Sequence, residues 1–170
     1  MGAGAVDDVA RHDELVGGFI HEGHAAYRMT VRVERTMTVS APPERVWAFI
    51  TDPDQRARPI SVVEDWDVHD ERQATWYISL PIPLLDRTIS VETRDVERRE
   101  PEYVRFVGRS KIMQVQGEHE LEETDEGTRL TNRFVVDGKL PGVERFFKRN
   151  LDGEMQNLEQ ALRDHLEVEV

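Results

Sequence analysis

From Val62 to Asp137, polar and apolar residues alternate through six consecutive segments, and only short turns separate them. A period of two is the signature of a strand with one wet and one dry face. The segments fall at about 62–69, 74–80, 87–97, 103–112, 114–123 and 128–137. Turn chemistry breaks them at Asp70-Glu71, Pro81-Ile82-Pro83, Glu100-Pro101 and Asp125-Glu126-Gly127. Links this short hold no crossover helix, so each strand must fold back antiparallel on its neighbour. A sheet with one dry face then needs something to cover it.

That cover is written at the C-terminal end. Val143, Phe146, Phe147, Leu151, Met155, Leu158, Leu162 and Leu166 recur at three- and four-residue steps, which predicts a long amphipathic helix. Ahead of the six segments, Val31, Val33, Met37 and Val39 mark an opening strand over 30–39. Ser40-Ala41-Pro42-Pro43-Glu44 then starts a helix carrying Val46, Trp47, Phe49 and Ile50, with Ser40 as its candidate cap. Asp52-Pro53 stops it, and a second short helix is expected from Gln55 to Arg58, before Pro59. The whole is an α+β domain: a curved antiparallel sheet of six to seven strands wrapped around a long C-terminal helix, with two short helices after the first strand.

Residues 1–28 contain five glycines and little periodicity, and read as a flexible extension preceding one domain over 29–170. Met29 is a second candidate for the start of the chain. The 170 residues suffice to bury a core without staples. There is no cysteine, which excludes disulfides, thiol catalysis and thiolate zinc sites. The net charge is −12, and Lys111, Lys139 and Lys148 are the only lysines among 22 basic residues. Such a balance argues against nucleic acid as a partner and against attraction to anionic lipid heads. It is similar to the composition of proteins from a salt-adapted, halophilic cytoplasm. No stretch reaches the ~18 apolar residues of a membrane span, and the N-terminus lacks a signal-peptide pattern, so a cytoplasmic location is expected.

The chemistry-bearing motifs are few. There is no Gly-rich phosphate loop and no nucleophile elbow. His21 and His24 lie three apart, with His12 nearby, but a convincing third ligand is missing. No metal and no cofactor are expected. Strand parity is more informative. It turns Trp66 and Val68, Trp76 and Ile78, Val104 and Phe106, and Phe134 toward the helix, and with them three polar residues: Arg35, His119 and Asn132. On the helical wheel Glu154 falls between Val143, Phe147 and Leu158, inside the apolar stripe. Buried polar groups need partners or a ligand. Arg35 and Glu154 could satisfy each other as an ion pair; His119 could reach solvent at the sheet end; Asn132 could bond to nearby backbone. Alternatively all four orient the polar end of something held inside. The apolar loop Pro81-Ile82-Pro83-Leu84-Leu85 reads either as a lid or contact site for a protein or membrane, or as packing on the long helix.

The order of elements, the run from Ser40 to Phe49, the hairpin Asp125-Glu126-Gly127-Thr128-Arg129-Leu130 and the amphipathic end helix together resemble the helix-grip fold of the START-like (SRPBCC) superfamily. That superfamily includes polyketide cyclases, coenzyme Q-binding proteins and plant carriers of hydrophobic ligands. The resemblance spans about residues 29–166. It implies an internal cavity, typically of ~300–1,000 Å³, that binds or transports a lipid, isoprenoid quinone or polyketide-like molecule. The expected ligand-binding residues are Arg35, Trp66, Trp76, Ile78, Phe106, His119, Asn132, Phe134, Phe147, Leu151, Glu154 and Met155. A cyclase or dehydratase, with His119 or Glu154 as base, and a protein-interaction module are the alternatives. A non-catalytic role is favoured, because no acid–base pair stands out.

Overall fold

The computed structural model describes residues 29–168 except Leu84 and Asp86. The proposed extension over 1–28, with its three histidines, lies outside the described residues. The chain forms β1 (Met29–Val39), α1 (Pro43–Ile50), α2 (Pro53–Ala57), β2 (Val63–Val68), β3 (Gln73–Ile78), β4 (Ile89–Arg99), β5 (Tyr103–Arg109), β6 (Met113–Thr124), β7 (Gly127–Gly138) and α3 (Pro141–Val168).

The seven strands make one antiparallel sheet in the order β1-β7-β6-β5-β4-β3-β2. Strands β2 to β7 pair with their neighbours in sequence, as the short turns require. The opening strand joins last in sequence terms, with Met29 opposite Gly138 and Val39 opposite Thr128. Gly127 makes the β6–β7 turn at φ +136°, where any Cβ would run into the carbonyl oxygen of Val39.

Both short helices begin on prolines. Ser40 does not cap α1. Its N-cap position is Pro42, and no side chain caps the helix, because the proline pair moves the helix start beyond Ser40's reach. Asp52 both ends α1 and caps α2, accepting from the backbone N–H groups of Asp54 and Gln55.

Helix α3 lies in the concave face, packed chiefly against β1 and β7. Its stripe of Val143, Phe147, Leu151, Met155, Leu158 and Leu162 is buried. The far side of the sheet is covered instead by α2, which packs on β2 and β3. The parity of β2 is offset from expectation: Val63 is buried and Val68 is exposed, because a register irregularity follows Val63. The loop from Pro81 to Leu85 packs Ile82 against Gly142 at the start of α3 and leaves Pro81 and Pro83 exposed.

Gly153 sits in the middle of α3, exposed, with no atom within 4 Å of where a Cβ would stand. Nothing in the packing requires a glycine there. Gly153→Ala is therefore expected to stabilise the fold by about 0.5–1 kcal/mol through helix propensity alone. Urea denaturation midpoints measure it.

Candidate functional site

Because α3 covers one side of the sheet and α2 the other, the two covers meet over β3 to β7. A cavity of about 60 Å³ remains beneath that seam. Its floor is Trp76, Val91, Phe106, Val115, Phe134 and Val136 of the sheet. Phe147, Leu151, Met155 and Leu158 of α3 form one wall, and Arg56, Ile60 and Val62 the other. The volume is well below the ~300–1,000 Å³ of common ligand pockets. As folded here it takes a few water-sized groups, and anything larger needs the walls to part.

Two charged side chains line this apolar space, one on each cover. Glu154 of α3 accepts from the backbone N–H of Ser61 at 2.8 Å and from the Ser61 hydroxyl. This link ties helix to loop across the seam. Opposite it, Arg56 of α2 is buried. Its Nη1 donates to Asp95 at 2.6 Å, its Nε donates to the carbonyl of Ile50, and its guanidinium lies 4.8 Å from the centre of the Phe106 ring. Its Nη2 is buried with no partner.

Asp95 stands on the dry parity of β4, after Val91 and Thr93. A bulge follows it, between Asp95 and Glu97. The extra residue turns Arg98 back to the same face, where its Nε donates to Asp95 at 2.9 Å. One buried carboxylate thus holds two guanidiniums, and the second also donates to the carbonyl of Glu71 at 2.6 Å.

Beneath Phe106 lies a second polar pair. His119 on β6 and Asn132 on β7 are paired residues in register. The His119 Nδ1 lies 2.7 Å from Asn132 Oδ1, so Nδ1 carries the proton and donates. His119 Nε2 and Asn132 Nδ2 are buried without partners. Burial first, and the nearby Arg56 charge second, push the imidazole down to about 4, against a weaker opposing pull from Asn132 and Asp95. The ring is neutral at pH 7. Phe106 separates it from the cavity: its ring stacks on His119 at 6.0 Å and meets Phe134 edge-on at 5.6 Å. Phe106 finds room for this because residue 117 is glycine; a Cβ there would overlap the ring.

Of the residues expected to bind a ligand, Trp76, Ile78, Phe106, Phe134, Phe147, Leu151, Glu154 and Met155 line the cavity. Four do not. Arg35 faces the dry side but pairs with Glu159 at 2.8 Å and Asp152 at 3.0 Å along the flank of α3, not with Glu154. Glu159 and then Asp152 hold its guanidinium firmly charged. Trp66 lies outside the wall, donating through Nε1 to Asp54 at 2.7 Å. His119 and Asn132 sit one layer below, fully enclosed rather than solvated at the sheet end. Arg56 is the residue that sequence reading missed. The signal was Asp95: an acid on a dry strand parity demands a cation. Among the described residues no group of histidine, aspartate and glutamate is placed to hold a metal ion.

Removing Asp95 strands one buried and one half-buried cation. Asp95→Ala is expected to cost about 3–5 kcal/mol, whereas Glu122→Ala, which breaks the exposed pair with Arg129, costs about 1 kcal/mol or less. Chemical denaturation of the two variants gives the comparison.

His119 makes a pH-dependent contribution. The unfolded imidazole titrates near 6.5 and the folded one near 4. Above pH 6.5 both are neutral and the stabilisation is complete. As pH falls the unfolded chain takes the proton and the folded chain does not, so stability declines down to about pH 4, by about 3 kcal/mol from this group. Denaturation midpoints measured across that window are expected to fall more steeply for the native chain than for His119→Leu. Equal slopes would mean that water reaches the ring.

Comparison with known proteins agrees with this architecture. Residues 30–163 match the family described as polyketide cyclase / dehydrase and lipid transport. A START superfamily protein from Mycobacterium smegmatis superposes with a TM-score of 0.65 at 14% identity, covering 82% of this chain and 99% of that one. A conserved protein from Geobacillus kaustophilus gives a TM-score of 0.64 at 15% identity, over 79% of this chain and 94% of that one. The di-domain ARO/CYC StfQ from the steffimycin biosynthetic pathway gives 0.61 at 13% identity, over 84% of this chain and 53% of that one. At these identities the structural likeness speaks for the fold. No match was found among curated proteins.

Proposed function

The chain belongs to the polyketide cyclase / dehydrase and lipid transport family, and from that premise we propose that it binds a small, mostly apolar molecule between the sheet and α3. The observation that carries this reading is Arg56. It lines the cavity and keeps one buried N–H donor, Nη2, without a partner, whereas the other polar lining groups, Glu154 and Thr93, are bonded to Ser61 and to the carbonyl of Ala74. Burial of apolar ligand surface supplies affinity at about 25 cal/mol per Å². Arg56 supplies orientation, by donating to an oxygen at the polar end of a lipid, isoprenoid quinone or polyketide-like molecule.

The small closed volume means that binding opens the seam. The Glu154–Ser61 link is the polar tie that must yield for Ile60 and Val62 to move away from α3.

A second reading, a cyclase or dehydratase in the same cavity, rests on the free lone pair of His119 Nε2. Two facts favour binding over that chemistry. An imidazole lowered to about 4 is a weak base at neutral pH. Phe106 also stands between it and the cavity.

Native mass spectrometry of the purified full chain, with solvent extraction of what it carries, is the first test. A co-purifying apolar compound is expected, and Val115→Phe, which puts a ring into the cavity, is expected to lose it while remaining folded. Displacement of an apolar fluorescent probe should weaken at least tenfold in that variant. Unchanged probe binding by Val115→Phe would place the ligand elsewhere.

A further inference from the structure

The acidic average of this chain hides a basic end. All three lysines lie at one end of the sheet, where β5 turns into β6 and β7 runs into α3. Segments 109–112 and 139–149 hold Arg109, Lys111, Lys139, Arg145, Lys148 and Arg149 against a single acid, Glu144. That is a local balance of +5 in a chain of net −12. The two segments are joined: the Lys139 N–H donates to the carbonyl of Ile112, and Lys139 Nζ to the carbonyl of Ser110.

These six are exposed. Among the described residues none of them makes an ion pair, whereas on the sheet's outer face Arg129, Arg133 and Arg105 are each matched to glutamates. The same end carries exposed apolar groups. Leu140 is 42% exposed, beside exposed Pro141, and the tips Pro81 and Pro83 flank the loop that packs on α3. Apolar tips set among unpaired cations suit a surface that is anionic outside and apolar just beneath. An acidic protein would match the cations but gives no reason for Leu140 and the prolines. The cavity lies at this end too, with Gly108, Met113 and Val136 in its lining.

We propose that this end docks on the surface of an anionic lipid bilayer, with Leu140 and the 81–83 tips entering the headgroup layer and the lysines and arginines resting on lipid phosphates. The negative remainder of the molecule is repelled by the same surface, so docking is end-on. Net charge predicts no attraction to anionic lipid; the distribution of charge reverses that expectation for one face.

The test is flotation of the full chain with vesicles, read without any cavity ligand, so its failure leaves the binding reading above intact. Vesicles of phosphatidylcholine containing phosphatidylglycerol should carry the protein at low ionic strength, and phosphatidylcholine alone should not. Added salt should release it. Lys111→Gln/Lys139→Gln/Lys148→Gln should weaken partition by on the order of a hundredfold, about fivefold per lysine. Leu140→Ser should weaken it several-fold. Equal partition to both vesicle types, no partition, or an unaffected triple variant would overturn the proposal. Binding to polyglutamate as tight as to vesicles, with no effect of Leu140→Ser, would overturn it in favour of an acidic protein partner.

Discussion

A single helix is narrower than a seven-stranded sheet, and most of this structure answers that mismatch. Helix α3 closes over β1 and β7. The opposite side, β2 to β4, would be left wet without a second cover. The chain supplies one early, as α2 and the turn from Ile60 to Val63, and must fasten it to strands that come much later in sequence. The fastening is the buried pair between Arg56 and Asp95. Where two covers of separate origin meet, their side chains do not mesh as tightly as one continuous layer would, and the cavity is what remains.

The fastening explains the charge pattern inside. A lone buried guanidinium would be costly, and so would a lone carboxylate. The bulge in β4 brings Arg98 to the second oxygen of Asp95, which satisfies the acid from both sides. The cluster is left with one cation in excess and with a buried donor, Arg56 Nη2, that has no partner. The residue that locks the cover down therefore also lines the cavity. Below it, Phe106 acts as a partition: its ring meets Trp76, His119 and Phe134, and the glycine at 117 leaves room for it.

The strands and the long helix were legible because burial imposes a period, and periods survive in sequence. Parity alone put His119, Asn132, Phe106 and Phe134 on the inner face. It failed where the backbone departs from regularity. The irregularity after Val63 exposed Val68. The Arg35–Glu154 pair, one of the readings the sequence offers, does not form, because the wheel places Glu154 in the stripe but says nothing of reach. A long arginine at the edge of β1 finds Asp152 and Glu159 on the flank of α3 instead. Arg56 was invisible because five residues are too few to carry a helical period. The size of the cavity was beyond sequence altogether, since it depends on how side chains from six strands and two helices interlock to within an ångström.

The place of β1 in the sheet bears on how the chain comes together in time. Strands β2 to β7 form a run of hairpins, each able to close soon after it is made. The opening strand has no partner until β7 exists, about a hundred residues later, since Thr30 meets Asp137. During synthesis it waits with Val31, Val33, Met37 and Val39 along one side and both edges unpaired. A nascent strand of that kind is open to wrong partners, including its own counterpart on a neighbouring chain. Arg35 interrupts that apolar side and Arg32 and Glu34 charge the opposite one, which keeps the strand solvated through that delay. When β7 arrives, Glu34 meets Arg133 across the new ladder, and the first strand made pairs with the last strand made.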